Sequence, residues 1–202
     1  MVISYLGLNC FRIQSNSTSI LIDPFEKSAG LELPRMQNDI VLFSQKDGPK
    51  GYTDKTFIIS SPGEYEVKEI FIYGIPAKGE VDNGLIFLIQ AEGMSLLYLG
   101  LIKDLKLSEE QLEMVEDSDI LILPVGGGGY LTPKQAAELV NEIEPRVVIP
   151  MYYKLPNLKM NLESVETFKR EMGAKSESID KLKINKKDLP AEETKLIIIE
   201  PS

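Results

Sequence analysis

The sequence predicts an α/β protein in which β-sheets pack face to face with helices on the outside. Two observations indicate this fold class. The first half carries short apolar or alternating runs separated by turn residues, which is typical of β-strands. The second half alternates helix-start signals with strongly apolar runs, which is typical of buried strands joined by helices. Because no change in composition marks a linker, we expect one domain over residues 1–202.

Turn residues divide the first half into strands. The polar Ser15-Asn16-Ser17 separates two apolar runs and predicts a β-hairpin. Ala91-Glu92-Gly93 joins two later runs in the same way. The strands predicted in this half are 10–14, 19–22, 40–43, 56–60, 69–73, 85–90 and 96–99.

Capping-box patterns predict helices in the second half. Ser108 with Gln111, and Thr132 with Gln135, each place a hydroxyl three residues before a glutamine, and the pair can satisfy free N–H groups at a helix start. Pro145 is expected to end the second of these helices. The helices predicted in this half are 109–117, 133–143 and 162–172, the last closed by Gly173.

The apolar runs between these helices predict buried strands. The runs 120–123 and 147–149 are too short for independent helices and suit strands that are buried on both faces. Pro124 and Pro150 follow them and are expected to end the strands. A last strand is predicted at 196–199.

Composition and charge exclude several functions. With 43% hydrophobic residues, the chain can bury a substantial core. Its net charge of −9 repels nucleic-acid phosphates and anionic lipids, so neither nucleic acid nor a membrane is an expected partner. Cys10 is the single cysteine, which excludes a disulfide within one chain, and residues 1–11 lack the features of a signal peptide. We therefore expect a soluble, cytoplasmic protein.

Several segments are more specific than the order of elements. They are Leu21-Ile22-Asp23-Pro24-Phe25, Pro62-Gly63-Glu64-Tyr65-Glu66-Val67 and the stretches 38–44, 118–127 and 146–151. These segments resemble metallo-β-lactamase-fold proteins, particularly small metal-dependent hydrolases related to ascorbate-phosphate lactonases. The likeness covers essentially the whole chain. It implies a four-layer αββα sandwich and a histidine-ligated metal site.

The chain, however, contains no histidine. The family has a His-x-His-x-Asp-His loop, a bridging aspartate and a last histidine. The matching positions here are, in that order, Gln45, Asp47, Pro49, Lys50, Leu101 and Tyr152. Imidazole is the usual nitrogen ligand of zinc, a lysine ammonium repels a cation, and Leu101 removes the bridging negative charge. The sequence therefore predicts a degenerate metal site without zinc or another cofactor.

Two functions from different classes follow from this loss of ligands. In the first, the protein is a pseudoenzyme with no catalytic residue, which binds a small anionic ligand or a protein partner or serves as an assembly subunit, as in a homo-oligomer. The alternative is a metal-dependent hydrolase that uses unconventional oxygen ligands or ligands from a partner chain. Asp23, Gln45 and Asp47 are the oxygen donors that could hold Mg²⁺ or Ca²⁺ weakly.

Asp23 and Asp47 also have structural explanations. Asp47 suits a solvated turn, and Asp23, at a strand end before proline, suits a carboxylate that accepts backbone N–H groups. A further hypothesis pairs one of these carboxylates with Lys50 or Lys78, so that an ammonium takes over the cohesive role of the lost metal.

A glycine run lies between a predicted strand and a capped helix, so its backbone N–H groups and the positive helix end could hold an anion. Glycines at such a junction also serve only to permit unusual dihedral angles. We expect an anionic ligand to contact this run together with Tyr152, with Lys50 and Lys78 strengthening the local field if their side chains point inward. The run consists of Gly126, Gly127, Gly128 and Gly129.

Overall fold

The computed structural model describes residues 1–26, 30–45, 55–77, 84–103, 108–116 and 118–202. Within these ranges the chain forms two β-sheets and three α-helices, which confirms the predicted α/β fold. The strands are β1 (Val2–Gly7), β2 (Cys10–Ser15), β3 (Thr18–Ile22), β4 (Ile40–Leu42), β5 (Phe57–Ile59), β6 (Gly63–Val67), β7 (Ile70–Ala77), β8 (Gly84–Ala91), β9 (Met94–Tyr98), β10 (Ile120–Pro124), β11 (Val147–Met151), β12 (Ser176–Ile179), β13 (Leu182–Lys183) and β14 (Lys195–Ile199). The helices are α1 (Glu109–Val115), α2 (Pro133–Ile143) and α3 (Val165–Met172), and a short 3₁₀ helix spans Lys186–Asp188.

The strand order brings several strand ends to the same edges. The first sheet has the order β13-β1-β2-β3-β4-β5, in which β3, β4 and β5 are parallel. The second has the order β12-β14-β11-β10-β9-β8-β7-β6, in which β9, β10 and β11 are parallel. Parallel strands point the same way, so their carboxyl ends lie side by side along one edge of each sheet.

Both predicted hairpins are confirmed. β2 and β3 are joined by Asn16-Ser17, with Asn16 at φ +49°. β8 and β9 are joined by Glu92 and Gly93, at φ +54° and +72°. Two consecutive residues with positive φ match the twist of the flanking strands, which explains a glycine at the second turn position.

The prediction that Pro150 ends its strand is wrong, because β11 continues to Met151, whereas Pro124 is the last residue of β10 as predicted. β10 and β11 include both prolines, with Leu123 opposite Pro150 and Pro124 opposite Met151 in parallel register. Pairing even continues beyond them, because the Val125 N–H donates to the Met151 carbonyl at 3.0 Å. A proline lacks only the N–H donor, and its carbonyl still accepts, so a position near the strand end tolerates it.

The helices begin largely where their sequence signals place them. The capping boxes at Ser108 and Thr132 are both formed, which confirms the starts of α1 and α2. α3 begins three residues later than predicted because Ser164 occupies the N-cap, and Gly173 closes it at φ +59° as predicted. α1 is shorter than predicted and ends at Val115.

Side chains of the first sheet alternate between two cores. Ile20 on β3 and Ile40 on β4 pack into the core between the sheets. Their neighbours Leu21 and Val41 point the other way, because successive strand residues face opposite sides. On that outer face they pack with Leu6, Cys10, Phe43, Phe25, Leu33 and Met36. Cys10 is thus a small core residue.

The second sheet lies between the first sheet and the helices. Every residue of β10 and β11 is buried, as expected for parallel strands covered on both faces. α2 buries a stripe of side chains that includes Ala136, Val140 and Ile143, and it packs against β10 and α3. In the part of the chain that the structure describes, the helices are too short or too polar to cross a membrane.

The two N-caps of α2 and α3 provide a matched test of the predicted helix starts. Thr132→Ala is expected to lower the free energy of unfolding by about 1 kcal/mol, because Thr132 Oγ1 accepts from the Gln135 N–H at 3.3 Å. Ser164→Ala is the control, since the Ser164 side chain makes no capping hydrogen bond, and its effect should stay below about 0.5 kcal/mol. Urea unfolding followed by circular dichroism measures both, and equal losses would contradict the assignment.

Candidate functional site

The residues singled out in the sequence lie at the carboxyl ends of parallel strands. Asp23 and Gln45 follow β3 and β4 in the first sheet, and Leu101 and Tyr152 follow β9 and β11 in the second. The Gln45 side-chain N–H donates to the Leu101 carbonyl at 3.3 Å, which joins the two sheets at this edge. In α/β proteins, ligands bind in crevices outside the carboxyl ends of strands. This edge is therefore the candidate site.

Asp23 is the buried polar centre of the edge. Its Oδ1 accepts the Ser44 N–H at 2.6 Å, and its Oδ2 accepts from the Ser44 hydroxyl and from Asn9 Nδ2 at 3.0 Å. Tyr98 Oη lies 2.6 Å from Asp23 Oδ2 and 2.7 Å from the Asn9 carbonyl, so two acceptors share its one proton. Burial raises the pKa of Asp23, and these hydrogen bonds oppose the rise.

This arrangement gives Asp23 a structural role. The carboxylate does accept a backbone N–H, as its position before a proline indicated, but the donor is Ser44 at the end of β4 and not a residue of its own turn. Its partners in the described ranges are neutral donors, and the carboxylate is buried among them. A cation would have to displace these donors, which makes Asp23 a poor ligand candidate. Lys50 and Lys78, its hypothetical partners, lie outside the described residues.

Two of the positions that match metal ligands in the family are adjacent in the structure. Gln45 and Leu101 are joined by their hydrogen bond, and Leu101 is half-buried with an apolar side chain where the family has a bridging carboxylate. The remaining positions of the loop after β4, Asp47, Pro49 and Lys50, lie outside the described residues.

The glycine run has backbone requirements of its own. Gly127, Gly128 and Gly129 have φ of +67°, +65° and +96°, a region that favours glycine. A Cβ on Gly126 would lie 2.3 Å from the Tyr152 carbonyl oxygen. The turn closes through the Gly127 N–H, which donates to the Leu131 carbonyl at 3.0 Å. Conformation therefore explains why these residues are glycine, whatever they bind.

Tyr152 lies beside the glycine run. A Cβ on Gly128 would lie 3.7 Å from Tyr152 Cε1, next to the phenol carbon, and the Tyr130 ring meets the Tyr152 ring edge-on at 5.2 Å. The Tyr152 N–H donates to the Leu8 carbonyl at 2.7 Å, which holds this residue against the turn between β1 and β2. Burial raises the pKa of Tyr152 to about 12, so the phenol is a neutral donor at physiological pH.

The described donors do not fit a zinc centre. The chain has no histidine, and Cys10 is buried on the outer face of the first sheet with its pKa raised by burial. In the ranges that the structure describes, no three cysteine, aspartate or glutamate side chains are placed to hold one metal ion. Zinc sites in proteins are built mainly on histidine nitrogen and cysteine sulfur, with carboxylates as additional ligands, so this donor set suits zinc poorly.

Comparisons with known proteins assign the chain to a family. A model described as a β-lactamase superfamily domain matches residues 2–152. The chain belongs to the metallo-β-lactamase superfamily. Proteins named metal-dependent hydrolases from Thermococcus onnurineus and Methanopyrus kandleri are 25% and 26% identical to it. The alignments cover 88% and 85% of this chain, and 94% and 91% of those relatives.

Solved structures agree with this assignment. A crystal structure described as a zinc-dependent hydrolase of the same superfamily, from Thermotoga maritima, matches with a TM-score of 0.82 and 27% identity. The match covers 99% of this chain and 100% of that one. A metallo-hydrolase from Ignicoccus hospitalis matches with a TM-score of 0.65 over 85% of this chain and 90% of its own. Its 18% identity supports the fold alone.

These names correct two expectations. The prediction that the protein uses no cofactor is wrong, because its relatives are named metal-dependent hydrolases and the Thermotoga protein is described as zinc-dependent. A noncatalytic role is also unsupported, and the hydrolase alternative fits the names at least as well. Carboxylate, amide and backbone oxygens also bind divalent cations, so the lack of histidine excludes a histidine-ligated site and leaves metal binding through oxygen open.

The Asp23 hydrogen bonds predict a pH-dependent cost for Tyr98→Phe. At pH 7 the variant should lose about 1–3 kcal/mol of stability, because the ionised carboxylate and the Asn9 carbonyl lose a donor. Since the native pKa of Asp23 is raised, wild-type stability falls as pH rises from the unfolded carboxyl pKa through the native one. Tyr98→Phe removes a donor to the ionised carboxylate, so the stability of the variant should fall further than that of the wild type as pH rises. The cost of the substitution should therefore be smaller at pH 4, where more of the carboxyl is protonated.

Urea unfolding at both pH values measures this difference. Tyr153→Phe is the matched control, because Tyr153 is also buried but its hydroxyl reaches only the Ile199 carbonyl at 3.5 Å. An equal loss in both variants, or a loss that does not depend on pH, would contradict the role assigned to Asp23.

Close packing at the start of the glycine run gives a second test. Gly126→Ala should destabilise the protein by more than about 2 kcal/mol, since the new Cβ would overlap the backbone of Tyr152 and Tyr153. Gly84→Ala is the control, because among the described residues its Cβ would meet only the Ala77 Cβ, at 4.0 Å, and it should cost less than about 1 kcal/mol. Thermal unfolding compares the two, and a Gly126 variant as stable as the Gly84 variant would refute the packing.

Proposed function

We propose that the protein is a hydrolase that uses a divalent metal bound through oxygen ligands, supplied by the segment after β4 and completed by other residues of this chain or by a partner chain. One observation carries the proposal. Gln45 and Leu101, which match the first ligand position and the bridging position of the family, adjoin at the carboxyl edge of both sheets. Relatives that align over most of their length are named metal-dependent hydrolases, which supports a metal-dependent reaction at this edge.

The donor chemistry favours a hard cation. The Gln45 side-chain N–H is engaged by the Leu101 carbonyl, so its Oε1 is the atom left to face a metal. Asp47 follows two positions later and would add a carboxylate. Amide and carboxylate oxygens suit Mg²⁺, Mn²⁺ or Ca²⁺ better than zinc. Asp23 is left out of this ligand set because its acceptors are already in use.

The test is metal dependence of binding and hydrolysis. Protein purified without chelator is analysed for bound metals, then stripped and assayed on phosphodiester, phosphomonoester and lactone substrates with added Mn²⁺, Mg²⁺ or Zn²⁺. We expect Mn²⁺ or Mg²⁺ to restore hydrolysis and Zn²⁺ to do so poorly. Hydrolysis that is unaffected by stripping, or none with any of these metals, would contradict the proposal.

Substitutions at the proposed ligands sharpen this test. Gln45→Leu and Asp47→Asn should each weaken the apparent metal affinity by about tenfold or more, since each removes one oxygen ligand. Gln90→Leu and Asp180→Asn make the same chemical changes at exposed positions and are the controls. Titration of Mn²⁺ followed by calorimetry measures the affinities. If the site variants bind Mn²⁺ as the controls do, the ligand assignment is wrong.

A cytoplasmic location remains part of the proposal. It rests on the single cysteine, which suits a reducing compartment.

A further inference from the structure

We propose that the glycine turn after β10 and the Tyr152 hydroxyl together form a binding site for an oxyanion, a carboxylate or phosphate group of the substrate. Calling the ligand a substrate rests on the proposed hydrolase function, whereas the anion site itself rests on the geometry of this edge. We define the glycine turn as residues 126–129.

The Tyr152 side chain is the observation that points to a ligand. The residue is only 5% exposed, yet its hydroxyl has no hydrogen-bond partner among the described residues. Buried side-chain polar atoms in those ranges all have partners, so an unpartnered hydroxyl must reach solvent. A Cβ on Gly128 would lie 3.7 Å from Tyr152 Cε1, the ring carbon beside the one that carries the hydroxyl, so the hydroxyl end of the ring adjoins the glycine turn. A well-packed phenol whose O–H makes no hydrogen bond to the described residues can donate one to an acceptor atom of a ligand.

The glycine turn supplies further donors. Gly128 and Gly129 are exposed, and neither N–H donates a hydrogen bond within the described part of the chain. Both precede α2, an 11-residue helix with Thr132 as its N-cap, and the N-terminus of a helix carries the positive end of its dipole. Backbone N–H groups beside a helix start are well suited to an anion, and a side-chain hydroxyl adds direction.

The charges around the turn are mixed. A Cβ on Gly127 would lie 3.9 Å from Glu163 Oε1, so one carboxylate adjoins the site and opposes an anion. The Lys154 ammonium donates to the Met160 carbonyl at 3.2 Å, close to the Glu163 segment, and the Lys154 N–H donates to the Glu163 carbonyl. The Ile102 carbonyl accepts the Leu131 N–H at 3.1 Å, which brings the segment that contains the basic residue Lys103 next to the residue that follows Tyr130. The site thus holds one acid that can be neutralised to test the assignment.

The experiment titrates chelator-treated protein, labelled with ¹⁵N-glycine, with inorganic phosphate, acetate and the neutral isostere acetamide. We expect phosphate or acetate to shift the amide signals of Gly128 and Gly129, and acetamide to leave them unchanged. Whichever anion binds more tightly identifies the substrate group. The proposal is overturned if neither anion moves these signals, or if acetamide moves them equally.

Variants connect the shifts to the named groups. Tyr152→Phe keeps the ring and should weaken anion binding about tenfold, the typical effect of a lost hydrogen bond to a charged group. Tyr130→Phe is the control on the neighbouring ring. Glu163→Gln should tighten binding about threefold by removing a screened repulsion, with the exposed Glu171→Gln as its control. Unchanged affinity in both Tyr152→Phe and Glu163→Gln would refute the site.

The design separates this inference from the proposed function. Because metal is stripped and no turnover is measured, anion binding can succeed while Mn²⁺-dependent hydrolysis fails, and the reverse can also occur. Binding without hydrolysis would support the anion site and contradict its role in binding a substrate. Hydrolysis without anion-dependent shifts would remove the anion site and leave the hydrolase proposal intact.

Discussion

The buried Asp23 carboxylate is the interaction on which the arrangement of the strand ends depends. Its donors come from Asn9, Ser44 and Tyr98, which are 14, 21 and 75 residues away along the chain. They belong to the β1–β2 turn, the end of β4 and the end of β9 in the other sheet. A buried carboxylate without such donors would be very costly, so the requirement to satisfy it fixes where these segments meet. The two sheets are thereby aligned at the edge that carries the candidate site.

This dependence explains how the family fold can persist while its ligand positions change. The partners that hold the strand ends together are protein donors, and the hydrogen bond from Gln45 to Leu101 adds a second link between the sheets. The fold at this edge therefore does not require imidazole ligands for its geometry. Substitution of those ligands changes which cation the edge could hold, while the hydrogen bonds that join the strand ends remain.

Local signals allowed much of the fold to be predicted, and long-range pairing set the limits. The capping boxes and the Glu92-Gly93 turn are formed by residues close together in sequence, so a short stretch of sequence is enough to predict them. β1 was missed because Val2–Gly7 carries no turn signal before it, and it is defined by pairing with β2 and β13. At the site, Tyr152 lies beside the glycine run because β10 and β11, which precede them, are neighbouring parallel strands. The four hydrogen bonds of Asp23 could not be predicted, because each depends on register between distant segments.

The acidic composition and the proposed anion site are compatible because they act over different distances. Charges on the surface are screened over about 8 Å at physiological ionic strength, so the net charge of −9 mainly influences distant encounter. At contact, the exposed N–H groups of Gly128 and Gly129, the Tyr152 hydroxyl and the nearby Glu163 determine the local potential. The same acidic surface attracts divalent cations toward the oxygen donors beside Leu101. A metal at that position and an oxyanion at the glycine turn would therefore support each other, since each lowers the electrostatic cost of the other.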